Sequence, residues 1–402
     1  MKETRKLYYD DAYSKEFDAT VTDIIPQGDC TIIALNQTVF YPEGGGQGSD
    51  IGSLFLEDGT EFEVTDVHEK QGIIWHKISG TGTPALQIGV NVHGAIDWDH
   101  RFDYMQQHSG EHIVSGIICR KFNCDNIGFH LGDDVVTIDY NTRISMEEAA
   151  EVEKEANTYI WENHRCIEAW PSAEELTTIN YRSKKELTGA VRIVSFPEAD
   201  TCACCGTHVK TSAEVGLVKL VSAKNFHEGT RLELYCGKRA FNFLSMNFNE
   251  NKAVAVLLST KEDKTSTVVE KQLGDMAALK VSMSAIEDRY FKLWAREYEG
   301  SENVFIINDW LTADQGRELA DEIANLCNGY VTVIVRVSGI PAADDGTSTF
   351  RFALIKRHGD VSEFVKEMNS ALNGRGGGRD GFAQGTLQTT EEAIRTYFES
   401  VF

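Results

Sequence analysis

The sequence predicts an α+β protein of several domains: a small N-terminal β-barrel, an α+β core, a helical linker and a C-terminal α/β unit. Three observations lead there. At 402 residues the chain is longer than one ordinary hydrophobic core serves. Its first quarter alternates apolar and polar residues between turn signals, as short half-buried strands do. The remainder mixes runs with apolar residues at threes and fours with further short strands. A composition of 42% hydrophobic and 25% charged residues is that of a soluble globular protein.

The elements follow in order. Residues 1–95 hold strand candidates at Thr20–Ile25, Thr31–Leu35, Glu61–Val64 and Gly72–His76. They are interrupted by Tyr41-Pro42-Glu43-Gly44-Gly45-Gly46-Gln47-Gly48, where three glycines let backbone approach a ligand closely. Residues 96–240 form the α+β core, with a helix from about Arg101 to Phe122, a second over Met146–His164, and strands near residues 190–194, 215–220 and 231–235. Residues 241–300 are helical. There Val269, Leu273, Met276, Met283, Tyr290 and Trp294 step near a period of 3.5, the seam of a helix packed on a partner helix of its own chain or of a homodimer. Residues 301–402 read as a compact α/β unit, with strands at Asn303–Ile307, Val331–Val335 and Phe350–Ile355 and helices started by Thr312 and by Thr389-Thr390-Glu391-Glu392. Between them, residues 373–385 interleave glycines with Arg375 and Arg379 and read as a loop forming an anion-binding backbone nest around Gly376, Gly377 and Gly378.

Two segments carry metal-ligand chemistry. His108 and His112, in Gln107-His108-Ser109-Gly110-Glu111-His112, are spaced i, i+4 and share one helix face. Cys204 and His208, in Cys204-Cys205-Gly206-Thr207-His208, repeat the spacing in a Cys-rich turn. Three imidazoles and a thiolate suit Zn2+. Cys202-x2-Cys205 is a competing half-site, but no second Cys-x2-Cys completes it. The nine cysteines are odd in number and crowd at 202–205, which is metal or thiol chemistry, not a disulfide framework. No stretch approaches the ~18 apolar residues that span a bilayer, and the first residues lack an apolar export segment, so a cytoplasmic protein without a membrane partner is expected. A net charge of -23 argues against nonspecific nucleic-acid binding, though a local basic surface remains compatible with it.

Four segments together resemble one family. Gln37–Gln47 is similar to the glycine-rich motif of alanyl-tRNA editing domains, the two ligand pairs to their zinc motifs, and Asn373–Gly385 to the Gly-rich segment of the C-terminal domain that accompanies them, a domain of the DHH-associated type. The chain thus resembles the free-standing alanyl-tRNA editing proteins of the long type. Two departures are visible: His-Ser-Gly-Glu-His stands where the family often has His-Thr-Ala-Thr-His, and Cys-Cys-Gly-Thr-His where it has Cys-Gly-Gly-Thr-His. No ligand position is lost.

The resemblance implies a zinc-dependent hydrolase that deacylates tRNA(Ala) mischarged with serine or glycine, because a pocket shaped for alanine discriminates poorly among small side chains. It implies Thr38 as the reader of the serine hydroxyl, Gln47 as a group fixing the aminoacyl end or water, and residues 375–379 as tRNA contacts. With no adenylate-forming core ahead of the barrel, aminoacylation is not expected. Two other readings stay open: a zinc-stabilised RNA-binding module without hydrolysis, and editing of mischarged tRNA(Thr).

Overall fold

Alternation in the first hundred residues closes a barrel. The chain runs through β1 (Arg5–Lys6), β2 (Glu16–Gln27), β3 (Cys30–Leu35), β4 (Gln37–Thr38), β5 (Gly52–Phe55), β6 (Glu61–Lys70), β7 (Ile73–Ser79) and β8 (Asn91–Ile96). Six of these close in the order β2-β3-β7-β6-β5-β8, which leaves no free sheet edge. Every second residue points inward: Phe17, Ala19 and Val21 on β2 meet Phe62 and Val64 on β6 in one core. The short β1 and β4 pair in parallel outside it. This computed structural model describes residues 2–27, 30–79, 86–132, 134–183, 189–339, 341 and 343–402.

The second core is built on α1 (Trp98–Phe122). Asp97 caps its start by accepting the His100 N–H at 3.0 Å, and Asn123 closes it in the left-handed region at φ 48°. From Tyr104 to Ile118 nearly every residue is buried, so this helix lies inside the fold and not on its surface. After it come β9 (Asn126–Leu131), β10 (Val136–Tyr140), α2 (Met146–Trp161), β11 (Ile167–Ala169), α3 (Ala173–Leu176), β12 (Ile193–Phe196), β13 (Asp200–Ala203), β14 (Val218–Phe226) and β15 (Gly229–Cys236). An antiparallel sheet β14-β15-β10-β9 shares its core with α1 and α2, and β11-β12-β13 form a second, smaller sheet.

Arg101 ties the barrel to α1. Fully buried, it donates Nε to Asp50 Oδ1 at 2.9 Å, Nη1 to the Ala12 carbonyl at 2.8 Å and Nη2 to the Val39 carbonyl at 2.6 Å, with a further contact from Nη2 to Asp50 Oδ2. Asp50 in turn accepts the Tyr41 N–H, so one guanidinium spans the strands on either side of the glycine motif.

The chain divides into two compact units, residues 1–254 and 255–402, with α4 (Gly237–Leu257) running across the division. The second unit contains α5 (Thr265–Ala295), β16 (Val304–Asn308), α6 (Ala313–Ala324), β17 (Val331–Arg336), β18 (Ser348–Ile355), α7 (Ser362–Ala371), β19 (Gly374–Arg379), β20 (Phe382–Thr389) and α8 (Glu391–Val401). Its five-stranded sheet runs β16-β17-β18-β20-β19, with only β16 and β17 parallel. Alternation on β17 sends Val331, Val333 and Val335 toward α6 and Ile334 toward α7 and α8, so both sheet faces are covered. Among the described residues no helix is long and apolar enough to cross a membrane.

One sequence expectation changes here. Residues 373–385 are not a loop but the hairpin β19–β20, turned by Asp380 and Gly381 at φ 54° and 85°. The glycines serve packing: a Cβ on Gly376 would lie 2.4 Å from the Gln384 carbonyl oxygen and 3.0 Å from the Phe352 ring. The segment is extended and its backbone is paired, which is not the geometry of a nest. The expected seam on α5 is divided: Trp294 packs into its own unit, whereas Leu273 and Met276 are 61% and 55% exposed.

Removing one partner of a buried ion pair leaves the other uncompensated. Arg101→Met should therefore lower stability by about 3–5 kcal/mol, read as a lower urea midpoint, and Asp50→Leu added to it should recover part of the loss. An unchanged midpoint for the single variant would show that the pair contributes nothing to the joint.

Candidate metal centre

The α1 helix sets His108 and His112 one turn apart on a face that meets the turn following β13. That turn carries Cys204 and His208, and the four donor atoms all lie within 4.8 Å of one another. Cys204 Sγ is 3.5 Å from His108 Nε2 and 3.3 Å from His208 Nε2. Zinc bonds of about 2.0–2.1 Å to nitrogen and about 2.3 Å to sulfur, at the tetrahedral angle, give N···S edges of about 3.6 Å. The donor set therefore has the composition and close to the spacing of a zinc site.

Each imidazole is held from behind. His108 Nδ1 lies 2.9 Å from Gln47 Oε1, His112 Nδ1 2.9 Å from Asp200 Oδ2, and His208 Nδ1 3.0 Å from Ser109 Oγ. A carboxylate only accepts, so His112 carries its proton on Nδ1 and offers the Nε2 lone pair inward. The Gln47 amide is oriented by Thr207, whose N–H donates to Oε1 at 3.1 Å while Nε2 donates to Thr207 Oγ1 at 2.9 Å. Its oxygen thus faces His108, with the same consequence for that ring. Outer partners of this kind fix ligand tautomer and orientation in metal sites.

Asp200 is itself clamped. Arg182 donates Nε to Oδ1 at 2.7 Å and Nη2 to Oδ2 at 2.8 Å. Burial alone would raise the Asp200 carboxyl, but the bonds from His112 and Arg182 outweigh it and hold the group below the usual carboxylate range. His112, Asp200 and Cys202 also form a ligand-type trio. With its carboxylate divided between Arg182 and His112, Asp200 is better suited to orienting a ligand than to being one.

Electrostatics favours a cation among the donors. Burial, then the neighbouring His108 and His112, push His208 well below the ordinary imidazole range. Burial, then Cys205 and Cys202, push the Cys204 thiol up. The protein alone keeps these groups neutral, and a divalent ion supplies the charge that a thiolate at this position needs.

The turn is shaped for this contact. A Cβ on Gly206 would fall 2.3 Å from His108 Cε1, so the ring fits only against glycine. Arg192 braces the turn by donating to the Cys204 and Gly206 carbonyls at 3.0 and 2.7 Å. Both departures from the family pattern are accommodated: Ser109 keeps the hydroxyl that meets His208, and Cys205 is exposed, its sulfur 3.8 Å from the Tyr41 hydroxyl.

Of the other expected residues, Gln47 joins the four donors. Thr38, on β4, is fully buried; its Oγ1 accepts the Phe40 N–H at 3.1 Å and lies 2.9 Å from Nε2 of His76 on the barrel strand β7. Burial depresses His76 to about 4, so that imidazole is neutral near pH 7. Arg375 and Arg379 are exposed on the edge strand β19 of the second unit. Spacing alone missed Asp200, Arg182 and Ser109. The available signal was chemical: a carboxylate four residues before Cys204 and a hydroxyl inside the His-x3-His segment.

Comparison of the sequence with known proteins relates this chain to aminoacyl-tRNA synthetases. Residues 2–100 match the family model of class II (A) tRNA synthetases, and residues 191–232 that of the threonyl and alanyl tRNA synthetase second additional domain. The chain is 37% identical over 240 residues to the alanyl-tRNA editing protein AlaX-M of Methanosarcina mazei, covering 57% of this chain and 94% of that one. It is 27% identical over 418 residues to the alanyl-tRNA editing protein AlaX-L of Pyrococcus horikoshii, covering 97% and 96%. It is also 29% identical over 408 residues to the alanine–tRNA ligase of Pyrococcus abyssi, spanning 98% of this chain but 43% of the ligase. The chain belongs to the family of alanyl-tRNA editing proteins.

Loss of an outer-shell partner typically lowers metal affinity about 10- to 100-fold. Asp200→Asn keeps the volume of the side chain and should weaken zinc by that factor in competition with a chromophoric chelator. Parent-like affinity would remove Asp200 from the account of the centre.

Proposed function

We propose that the protein is a zinc-dependent hydrolase that deacylates mischarged tRNA(Ala), chiefly the seryl and next the glycyl form. The observation that carries this reading is the His108, His112, Cys204 and His208 cluster, locked to the barrel by Gln47. When bound there, zinc supplies a Lewis acid that polarises an ester or activates water. The chain's own residues do the rest. Gln47 and Asp200 hold two rings in the tautomer that points Nε2 inward. Thr38 accepts from Phe40 N–H, and with the His76 proton on Nδ1 toward the Ile33 carbonyl its hydroxyl donates to His76 Nε2, which leaves its oxygen one lone pair for a serine O–H. That pairing is the proposed basis of serine selectivity.

One observation favours a second reading: four protein donors already satisfy tetrahedral zinc, as in structural sites. Under that reading the chain binds RNA and hydrolyses nothing. Deacylation of a panel of tRNAs (seryl-, glycyl- and alanyl-tRNA(Ala), seryl-tRNA(Thr)) decides between them. We expect rapid loss of serine from tRNA(Ala), slower loss of glycine and little loss of alanine. Activity confined to tRNA(Thr) would move the substrate, and no activity on any member would leave the RNA-binding reading. Thr38→Val should reduce serine-over-alanine selectivity by about 0.5–1.5 kcal/mol, one hydrogen bond's worth.

Unit 2 is the proposed tRNA-binding part, with Arg375 and Arg379 on phosphates along the edge of β19. Each lost phosphate contact should lower the salt slope of binding by about one counterion. The Arg375→Ala/Arg379→Ala variant should thus bind whole tRNA more weakly while hydrolysing a short aminoacyl-acceptor mimic normally. A parent-like salt slope would show that these arginines touch no phosphate.

We further propose a homodimer through α5. Leu273, Met276, Leu279, Met283 and Ile286 are each more than half exposed, an apolar stripe of the kind that marks association surfaces. Light scattering at micromolar concentration should give twice the chain mass, and Leu273→Glu/Met283→Glu should give the monomer; a monomeric parent would end the proposal.

A further inference from the structure

We infer that Trp170 and Tyr9 form a stacking platform for the unpaired 3′-terminal nucleobase of the substrate, beside the metal-binding turn. Trp170 follows the exposed edge strand β11 and is itself 51% exposed. Its ring stands edge-on to Tyr9, with centroids 5.4 Å apart at 80°. Tyr9 is anchored to the metal-binding turn: its hydroxyl donates to the Cys205 carbonyl at 3.0 Å. The Arg192 guanidinium lies 5.2 Å from the Tyr9 ring centroid, and the same guanidinium braces Cys204 and Gly206. Behind Tyr9, the buried rings of Tyr8 and Tyr41 continue the series at 4.6 and 5.4 Å, and the Tyr41 hydroxyl donates to the Gly44 carbonyl at 3.0 Å. The outermost indole is thus joined by fixed contacts to the two segments that border the donors, the glycine motif and the Cys–His turn.

A large aromatic left open beside a polar site has three common uses: packing under a lid, gripping a protein partner, or stacking a base. The charge of the chain selects the third. At -23 overall, with Glu174 and Glu175 close by in sequence and Arg192 already paired with Glu168, this rim offers phosphate no net attraction. A nucleobase offers a neutral π-face that such a rim accepts. The proposed ester sits on the ribose of the last nucleotide, whose base is unpaired and must be placed within one nucleotide of the reacting carbon. A rigid ring one residue contact away from Cys205 does this without reading hydrogen-bond edges.

The inference rests on the proposed aminoacyl-tRNA substrate, so two measurements separate the failures. First, the zinc-loaded full chain is assayed on seryl-tRNA(Ala) with an intact end and on the same tRNA lacking only the terminal base. On the intact substrate Trp170→Ala should raise KM roughly 5- to 150-fold, the range of one stacked base, with kcat unchanged. Trp170→Phe should stay near the parent. On the abasic substrate, parent and Trp170→Ala should coincide. An unchanged KM, or an equal loss on both substrates, overturns the platform. Second, binding of a labelled single-stranded RNA ending in adenosine is compared with its abasic counterpart, with no hydrolysis required. The parent should prefer the adenosine end and Trp170→Ala should not. If no aminoacyl-tRNA is hydrolysed yet this preference holds, the substrate reading fails and the platform stands. Absence of the preference in the parent, including capture of a protein partner in its place, overturns the platform. Zinc content equal to the parent's in both variants confirms that the turn itself is intact.

Discussion

The buried contact between Arg101 and Asp50 is the constraint on which the geometry of the centre depends. Arg101 belongs to α1, the helix that carries two donors, and Asp50 follows the glycine motif that carries Gln47. Holding these together brings Gln47 Oε1 to 2.9 Å from His108 Nδ1. A buried pair of this kind contributes little net stability over a well-packed apolar alternative, because two charges have left water. What it supplies is a unique register. Apolar surfaces slide past one another at small cost, whereas a guanidinium that also satisfies the Ala12 and Val39 carbonyls has one position. The barrel and the helix belong to separate hydrophobic cores, and the ion pair aligns them together with the Gln47–His108 contact and the His100 ring against the Ser49 carbonyl.

From that alignment follows a division of labour among the donors. The four donors come from a helix and a turn that are distant in sequence, and their three outer partners come from a barrel loop, β13 and α1 itself. Burial keeps His208 neutral and the Cys204 thiol protonated in the protein alone. A metal held by these four residues would therefore displace the thiol proton, and its binding free energy would become available to the fold. Position 206 must be glycine for this geometry, since a Cβ there would fall 2.3 Å from His108 Cε1.

Much of this was legible from sequence where the signal is periodic. The i, i+4 spacing placed both histidines on one face because a helix has 3.6 residues per turn, and α1 ends at Phe122 as its pattern suggested. Alternation disclosed the barrel strands for the same reason. The failures have equally physical causes. Gly374–Arg379 reads as a loop because glycine disfavours strands in isolation, but tight packing on β20 and Phe352 overrides that preference. The stripe on α5 was correctly seen as apolar, yet periodicity cannot say what covers it. Asp200 and Arg182 were invisible because they act across the fold, and no spacing rule encodes a contact between residues 88 and 18 positions apart. Thr38 was chosen from its motif, and what the motif could not disclose is its partner, the buried His76.

The acidity of the chain, which first argued against a nucleic-acid partner, narrows how one would be held. With 62 acidic against 39 basic residues, long-range attraction to a polyanion is absent, so recognition must rest on short-range contacts. Much of the basic complement is already spent internally: Arg101 on Asp50, Arg182 on Asp200, Arg192 on Glu168, Arg231 on Asp139 and Arg239 on Asp103. Arg375 and Arg379 differ in standing exposed on an edge strand, where Arg379 lies 3.8 Å from the neighbouring Asp380. An exposed arginine pair can form bidentate phosphate contacts with little desolvation, and aromatic faces can take bases without any charge at all. Under the editing reading this arrangement trades association rate for selectivity. A surface that does not attract RNA in general retains only the molecule that satisfies several specific contacts at once, which suits an enzyme that must ignore the far larger pool of correctly charged tRNA.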